Sequence, residues 1–277
     1  MSKKLKPTKG HEIGKIQDLR QLLDRAAEKY GDKIAFEYKK DATDKNSEII
    51  VKTFNQFKKD AKKLSTIFLN MGLEGKRVAV IGNNSYSWCV TYMAVVSGDM
   101  VIVPLDKALP DTEIKSLIKR SKADAVVFDK KYVDVFEKIR KENKSNLQYY
   151  ICMDDIESAN VIKYSELMQK GEELVNNEDN RYDSIKIDNK KMSIMLFTSG
   201  TTAAAKAVML SQYNVCSNIN AMPYFVSMYD TDVLLSFLPI HHTFECTITF
   251  LYGCLYCGAT VAFCDGLRYV VDNLKDY

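Results

Sequence analysis

The chain has 277 residues, 46% of them hydrophobic, and 39 Lys and Arg stand against 36 Asp and Glu, a net charge of +3. Such a composition builds a globular protein with a large core, as one big domain or two of ordinary size, and the nearly balanced surface argues against nucleic acid as a partner. The Lys-rich start MSKKLKPTKG lacks the apolar core of a secretory signal, so residues 1–12 read as a flexible basic tail and the protein as cytoplasmic.

From Asp18 to Tyr30, Leu19, Leu22, Leu23 and Ala26 recur at helical spacing and Gly31 follows as a stop. Ile34 to Tyr38 and Ile49 to Thr53 are strand-like runs of a hairpin around the polar connection DATDKNSE. Thr53 and Gln56 have capping-box spacing and open a helix whose Phe57, Ala61, Leu64, Phe68 and Met71 share a face, closed by Gly72. From Arg77 the chain alternates: VAVIG, MVIVPL, ADAVVF and LQYYICM are strand-like, and the stretches between them are helical. That order implies a parallel sheet with helices on both faces. Asn83, Asn84 and Ser85 fall at a strand's carboxyl end, where such sheets place ligands, but they read as turn formers rather than a site.

Ile162 to Val175 reads as a further helix, and the polar stretch NNEDNRYD marks a boundary. The expected organisation is a first α/β subdomain over residues 13–175, a linker at 176–187 and a second α/β subdomain over 188–277. Together they predict two stacked doubly wound, mainly parallel sheets.

The second half opens on SIMLFTSGTTAAAKAVMLSQYN, Ser193 to Asn214. A short apolar run, Ile194 to Phe197, reads as a buried strand. Thr198, Ser199, Thr201 and Thr202 then crowd around Gly200, and Lys206 follows four residues later. Backbone amides, hydroxyls and a flexible ammonium suit a polyphosphate; a polar turn ending in a solvated lysine is the plainer alternative. No Gly precedes Lys206, so the GxxxxGK[ST] loop does not fit. Ala207 to Leu210 can return as a strand, Ser211 can cap a helix from Gln212, and Pro223 breaks it. Val233 to Leu238 is the next strand, with LPIHHTFE at its carboxyl end. His241 and His242 form the one histidine cluster of a chain with 3 histidines, which puts a functional reading and a satisfied turn on equal terms.

The seven cysteines are scattered through apolar segments as small core residues would be. Cys254 and Cys257 form a CxxC within the uncharged run from Cys246 to Cys264, but no histidine or second CxxC has zinc-finger spacing, and no metal site is assigned. Gly258 divides that run into a helical half and a β-branched strand, Ala259 to Phe263, which argues against a transmembrane segment.

TSGTTAAAKAVMLSQYN resembles the phosphate loop of the adenylate-forming superfamily of acyl-CoA synthetases, adenylation domains and luciferases, whose pattern reads TSGTTGxPKGV. Ala203 and Ala207 stand where that loop has glycine, Ala205 where it has proline and Gln212 where it has histidine. GKRVAVIGNNSYSWCVTYMAVVSGDMVIVPLDKALP and LPIHHTFE are similar to further segments of the same superfamily. The resemblance implies the incomplete amino-terminal domain of an acyl-CoA synthetase-like ligase, activating a carboxylic acid, in wording more like the long-chain fatty acid branch than the acetate branch. The reaction it implies uses ATP and Mg2+ to make an acyl-adenylate and hands it to coenzyme A. Thr198, Ser199, Gly200, Thr201, Thr202 and Lys206 would hold the nucleotide phosphates. His241, His242, Thr243 and Glu245 would line the acid pocket, with Lys206 and His242 taking catalytic roles. A YGxTE-like adenine motif and a carboxy-terminal lysine are not found before Tyr277, so the 277 residues alone are expected to be inactive and to self-associate through an uncovered apolar face. A non-catalytic nucleotide- or acyl-binding module, and a ligase that uses another thiol or none, stand as alternatives.

Overall fold

The computed structural model describes residues 14–44, 46–198 and 205–277. Its first elements are α1 (Leu19–Tyr30), β1 (Ile34–Lys39), β2 (Ile49–Thr53), α2 (Phe54–Asn70), β3 (Arg77–Ile81), α3 (Tyr86–Ser97) and β4 (Val101–Pro104). They continue with α4 (Asp111–Ser121), β5 (Ala125–Phe128), α5 (Val133–Glu142), β6 (Tyr149–Cys152), β7 (Ile162–Lys163), α6 (Tyr164–Asn176) and the single turn α7 (Arg181–Ser184). The last are β8 (Met192–Thr198), β9 (Lys206–Ser211), α8 (Gln212–Ala221), β10 (Val233–Ser236), α9 (Thr243–Glu245), a π-helix (Cys246–Tyr256), β11 (Thr260–Phe263) and α10 (Val270–Asp276).

Local chemistry sets the helix ends. Asp18 caps α1 by accepting from the Gln21 amide at 2.8 Å, and Gly31 closes it at φ 44°. The capping box at α2 is complete: Thr53 Oγ1 accepts from the Gln56 amide at 3.2 Å and Gln56 Oε1 from the Thr53 amide at 2.9 Å. Every residue of α3 except Ser87 is buried, and Ser85 caps it by accepting from the Trp88 amide at 3.3 Å.

The class is α/β, with mixed, largely parallel sheets accompanied by helices. The chain divides into two compact units, one formed by Lys59–Gln212 and one by Met1–Lys58 with Tyr213–Tyr277. In the continuous unit a seven-stranded sheet runs β7-β6-β5-β3-β4-β8-β9. It is parallel throughout except for β9, which returns antiparallel to β8. Because β4 lies on one side of β3 and β5 and β6 on the other, the strand order reverses at β3/β5. Ala79, Ile81, Val126, Phe128, Ile114, Leu117 and Phe136 form the core between sheet and helices.

The other unit carries a four-stranded sheet in the order β10-β11-β1-β2. Its β1 and β2 form the expected antiparallel hairpin, and β1 also pairs parallel with β11, Phe36 opposite Val261. Phe36 is central to this core: its ring lies 4.8 Å from Phe57, 5.8 Å from Phe263 and 6.1 Å from Phe250. Gly258 turns the chain into β11 at φ 84°, and a Cβ there would strike the Tyr30 ring. Lys39, nearly buried, pairs with Asp265 at 3.1 Å and Asp276 at 2.8 Å, which fastens α10 to β1.

These units depart from the expected division into 13–175, a linker at 176–187 and 188–277. The residues after that linker do not build a sheet of their own: β8 and β9 extend the first sheet, with Ile194 opposite Ile102. Strands β10 and β11 are completed instead by β1 and β2 from the start of the chain. Polar residues at 176–187 mark a surface connection, which the sequence renders in the same letters as a domain joint. None of the described helices is long and apolar enough to cross a membrane, and the run from Cys246 is buried protein core.

Candidate functional site

The β8–β9 hairpin carries the Thr198 to Lys206 motif. Because β8 is parallel to β4, Thr198 ends β8 at the carboxyl end of the sheet's parallel strands, the end at which open α/β sheets place ligands. Ser193, Ile194 and Met195 are buried, which roots β8, whereas Thr198 and Lys206 are exposed at the mouth. They are cross-strand partners, with Thr198 Oγ1 donating to the Lys206 carbonyl at 3.5 Å. Directly opposite residues of an antiparallel pair project on the same face, so a hydroxyl-bearing and a cationic side chain share one side of the hairpin here. Ser199, Gly200, Thr201 and Thr202 lie outside the described residues.

The far end of the hairpin is pinned. Gln212 is fully buried, and its Nε2 donates to the Val96 carbonyl of α3 at 2.7 Å. This residue stands where the resembling loop has histidine, and its amide ties the end of β9 to α3 within the same unit. At the near end, Arg120 of α4 donates through Nη2 to the Ala205 carbonyl and lies over the Phe197 ring at 5.5 Å. Nothing in the sequence singled out Arg120, since an exposed arginine in a helix's last turn reads as a solvated charge.

The HHTFE segment falls in the other unit. His242 is exposed and caps α9, its Nδ1 accepting from the Phe244 amide at 3.3 Å, so the neutral ring carries its proton on Nε2. His241 is half-buried, while Thr243 is exposed. Glu245 is buried and accepts from Ser236 Oγ at 2.6 Å and Thr249 Oγ1 at 3.0 Å. Burial raises its carboxyl above the usual range and the two hydroxyls pull it partly back. Glu245 thus fastens β10 to the π-helix, and the turn bearing the two histidines is held from beneath. Among the described residues no group of three or more His, Cys, Asp or Glu could hold a metal ion. Burial also holds the Cys254 and Cys257 thiols protonated, the latter pushed up to about 12.

At the reversal point of the seven-stranded sheet, Asp129 Oδ2 accepts from the Asn83 amide at 2.7 Å, and Lys107 Nζ donates to Asn83 Oδ1 at 3.0 Å. A Cβ on Gly82 would come within 2.5 Å of the Asp129 carboxylate, so only glycine lets the turn close on it. Desolvation pushes the Asp129 carboxyl up to about 6, aided by Asp154 and opposed by the Asn83 amide, Lys131 and Lys107. Between the ordinary aspartate range and about 6 the folded chain binds more protons than the unfolded one, so stability falls as pH rises through that window. Asp129→Asn is expected to flatten this dependence in denaturant titrations between about pH 4 and about pH 6.5; an unchanged slope would refute it.

Comparison with known proteins places these features in a wider group. A family model described as AMP-binding enzyme matches residues 23–276. The chain is 29% identical over 191 residues to a CoA ligase of Gibberella moniliformis, covering 69% of this chain and 29% of that protein. It is 29% identical over 248 residues to long-chain-fatty-acid–CoA ligase 5 of Mus musculus, covering 80% and 34%. Among solved structures, the N-terminal domain of FACL13 from Mycobacterium tuberculosis superposes with a TM-score of 0.75 at 18% identity, over 94% of this chain and 61% of that one. A long-chain-fatty-acid-CoA ligase from Archaeoglobus fulgidus does so with a TM-score of 0.78 at 19% identity, over 99% and 53%. The chain spans about a third of the length of these curated relatives.

Proposed function

Because the chain belongs to the AMP-binding enzyme family, we propose that the protein carrying it activates a carboxylic acid, a fatty acid foremost, by reaction with ATP and passes the acyl group to coenzyme A. The observation that carries this reading is the hairpin with Thr198 and Lys206 paired at its mouth, inside the family match. The carboxylate oxygen attacks the α-phosphorus, the bond to the bridging oxygen breaks, and pyrophosphate departs with the electron pair. Chemistry of this kind needs charge neutralisation and alignment more than a protein nucleophile. The Lys206 ammonium offsets charge on the leaving phosphates, and the Thr198 hydroxyl with Ser199, Gly200, Thr201 and Thr202 supplies hydrogen-bond donors. Mg2+ carried by the nucleotide would supply further charge neutralisation at the phosphates, beside that of Lys206. His241, His242 and Thr243 are assigned to the acid pocket, with Glu245 holding their turn.

Fatty acid as the substrate class is supported by the relatives' names, several of which are long-chain-fatty-acid ligases. One relative, AEE15 of Arabidopsis thaliana, is named as a ligase for acyl-carrier protein, so a protein-borne thiol is the rival acceptor. Alanines at 203, 205 and 207 favour a second reading, a module that binds phosphate without turnover, because alanine pays a strain that glycine does not wherever φ must be positive, and the proline's restraint is absent. Acid-dependent ATP–pyrophosphate exchange separates the two. The chain extended through its downstream reading frame is expected to exchange with long-chain acids. No exchange with any acid from a panel would favour the non-catalytic module.

A further inference from the structure

Arg120 meets both legs of the β8–β9 hairpin at its neck. Its guanidinium donates to the Ala205 carbonyl just before β9 and lies over the Phe197 ring, the penultimate residue of β8. Phe197 and Ala205 are themselves partly buried against the core cluster that includes Ile114, Leu117 and Ile118 of α4. The arginine therefore projects from a helix whose inner face is fixed, and it grips one leg by a charge-assisted hydrogen bond and the other by a cation–π contact. The guanidinium matters here, because its charge and donors are spread over three nitrogens and reach the carbonyl and the ring at once; a compact ammonium cannot do both in the same way.

We propose that Arg120 is a positioning residue that closes the neck of this hairpin and so sets the separation and direction of Thr198 and Lys206. The inference rests on reading that hairpin as polyphosphate-binding. Thr198 and Lys206 end and begin the two strands of the hairpin, and a binding site whose groups must be ordered by the ligand loses affinity by that ordering cost. A clamp at the base removes part of that cost without touching the phosphate. Affinity then depends on a residue that makes no contact with the ligand.

The test uses the 277-residue chain with inorganic tripolyphosphate as the probe, and compares Arg120→Ala, Arg120→Lys and Lys119→Ala with wild type. Amide hydrogen exchange at the Phe197–Ala207 pair is expected to quicken about tenfold in Arg120→Ala and in Arg120→Lys, the scale of one charged hydrogen bond plus a cation–π contact. Exchange in β3 and β5 should stay at the wild-type rate, which separates loosening of the neck from loss of the fold. Tripolyphosphate affinity should weaken by about the same tenfold factor in both variants. Lys119→Ala, which removes a neighbouring exposed charge, should change neither quantity. Wild-type exchange in Arg120→Ala, full rescue by lysine, or weakened affinity with unchanged exchange would each overturn the clamp. If wild type binds no tripolyphosphate while the neck still loosens, the clamp stands and the phosphate reading of the hairpin falls.

Discussion

Lys206→Ala is expected to lower acid-dependent ATP–pyrophosphate exchange by the extended protein about 100- to 1,000-fold, the usual result of deleting one preorganised electrostatic donor. Lys206 is exposed at the start of β9, opposite Thr198, so alanine removes the charge without opening a core cavity, and the fold should be unaffected. In the 277-residue chain the same substitution should weaken tripolyphosphate binding by ~1–3 kcal/mol, the range for a charge-assisted hydrogen bond. Lys206→Arg should recover part of the binding and less of the rate, because a planar fork presents its donors differently from a compact ammonium. Equal exchange by wild type and Lys206→Ala would remove the lysine from the mechanism.

Phe36→Ala is expected to cost about 3–5 kcal/mol of stability, the largest loss from a single truncation considered for this chain. Phe36 is fully buried in β1, and its ring meets Phe57, Phe250 and Phe263. Those neighbours come from a helix, the π-helix and a strand with separate attachments, so they cannot all move in to fill the void. Phe36→Leu, which keeps most of the volume, should cost less than half as much. Urea titration followed by circular dichroism measures both, and an effect of Phe36→Ala below about 1 kcal/mol would mean the cavity collapses freely.

Sequence reasoning reached the elements and missed two of their partnerships. The helix from Leu19, the capping box at Thr53 and Gln56 and the alternation from Arg77 to Cys152 were legible because each rests on neighbours in the chain: a cap within three residues, a periodicity within one turn. The pairing of β1 with β11 was not legible. Thr260 Oγ1 donates to the Ile34 carbonyl across 226 residues of chain, and neither strand bears a local mark of its mate. The same reason hid the attachment of β8 to β4. At the candidate site the Thr198 to Lys206 letters were readable as a hydroxyl-rich run ending in a cation, a composition that suits a polyphosphate and also a plain polar turn. Arg120 was not, because its partners are a backbone carbonyl and an aromatic ring of the hairpin, supplied by folding alone. Glu245 and His242 show the converse: the motif letters were plain, but their hydrogen bonds to Ser236, Thr249 and the Phe244 amide give them structural duties that the letters do not state.

The pairing of β1 with β11 also sets an order of events during synthesis. The unit over Lys59–Gln212 is continuous and can fold as soon as it leaves the ribosome. The β1–β2 hairpin emerges before it yet lacks the strand that covers its inner edge until Phe263 has been made. At about 5–20 residues per second, that strand arrives roughly 10 to 45 s after β1 itself. For that interval Phe36 and its edge are bare beside a growing polypeptide, and slowing elongation between the two strands should raise the demand for chaperones more than slowing it anywhere inside the continuous unit.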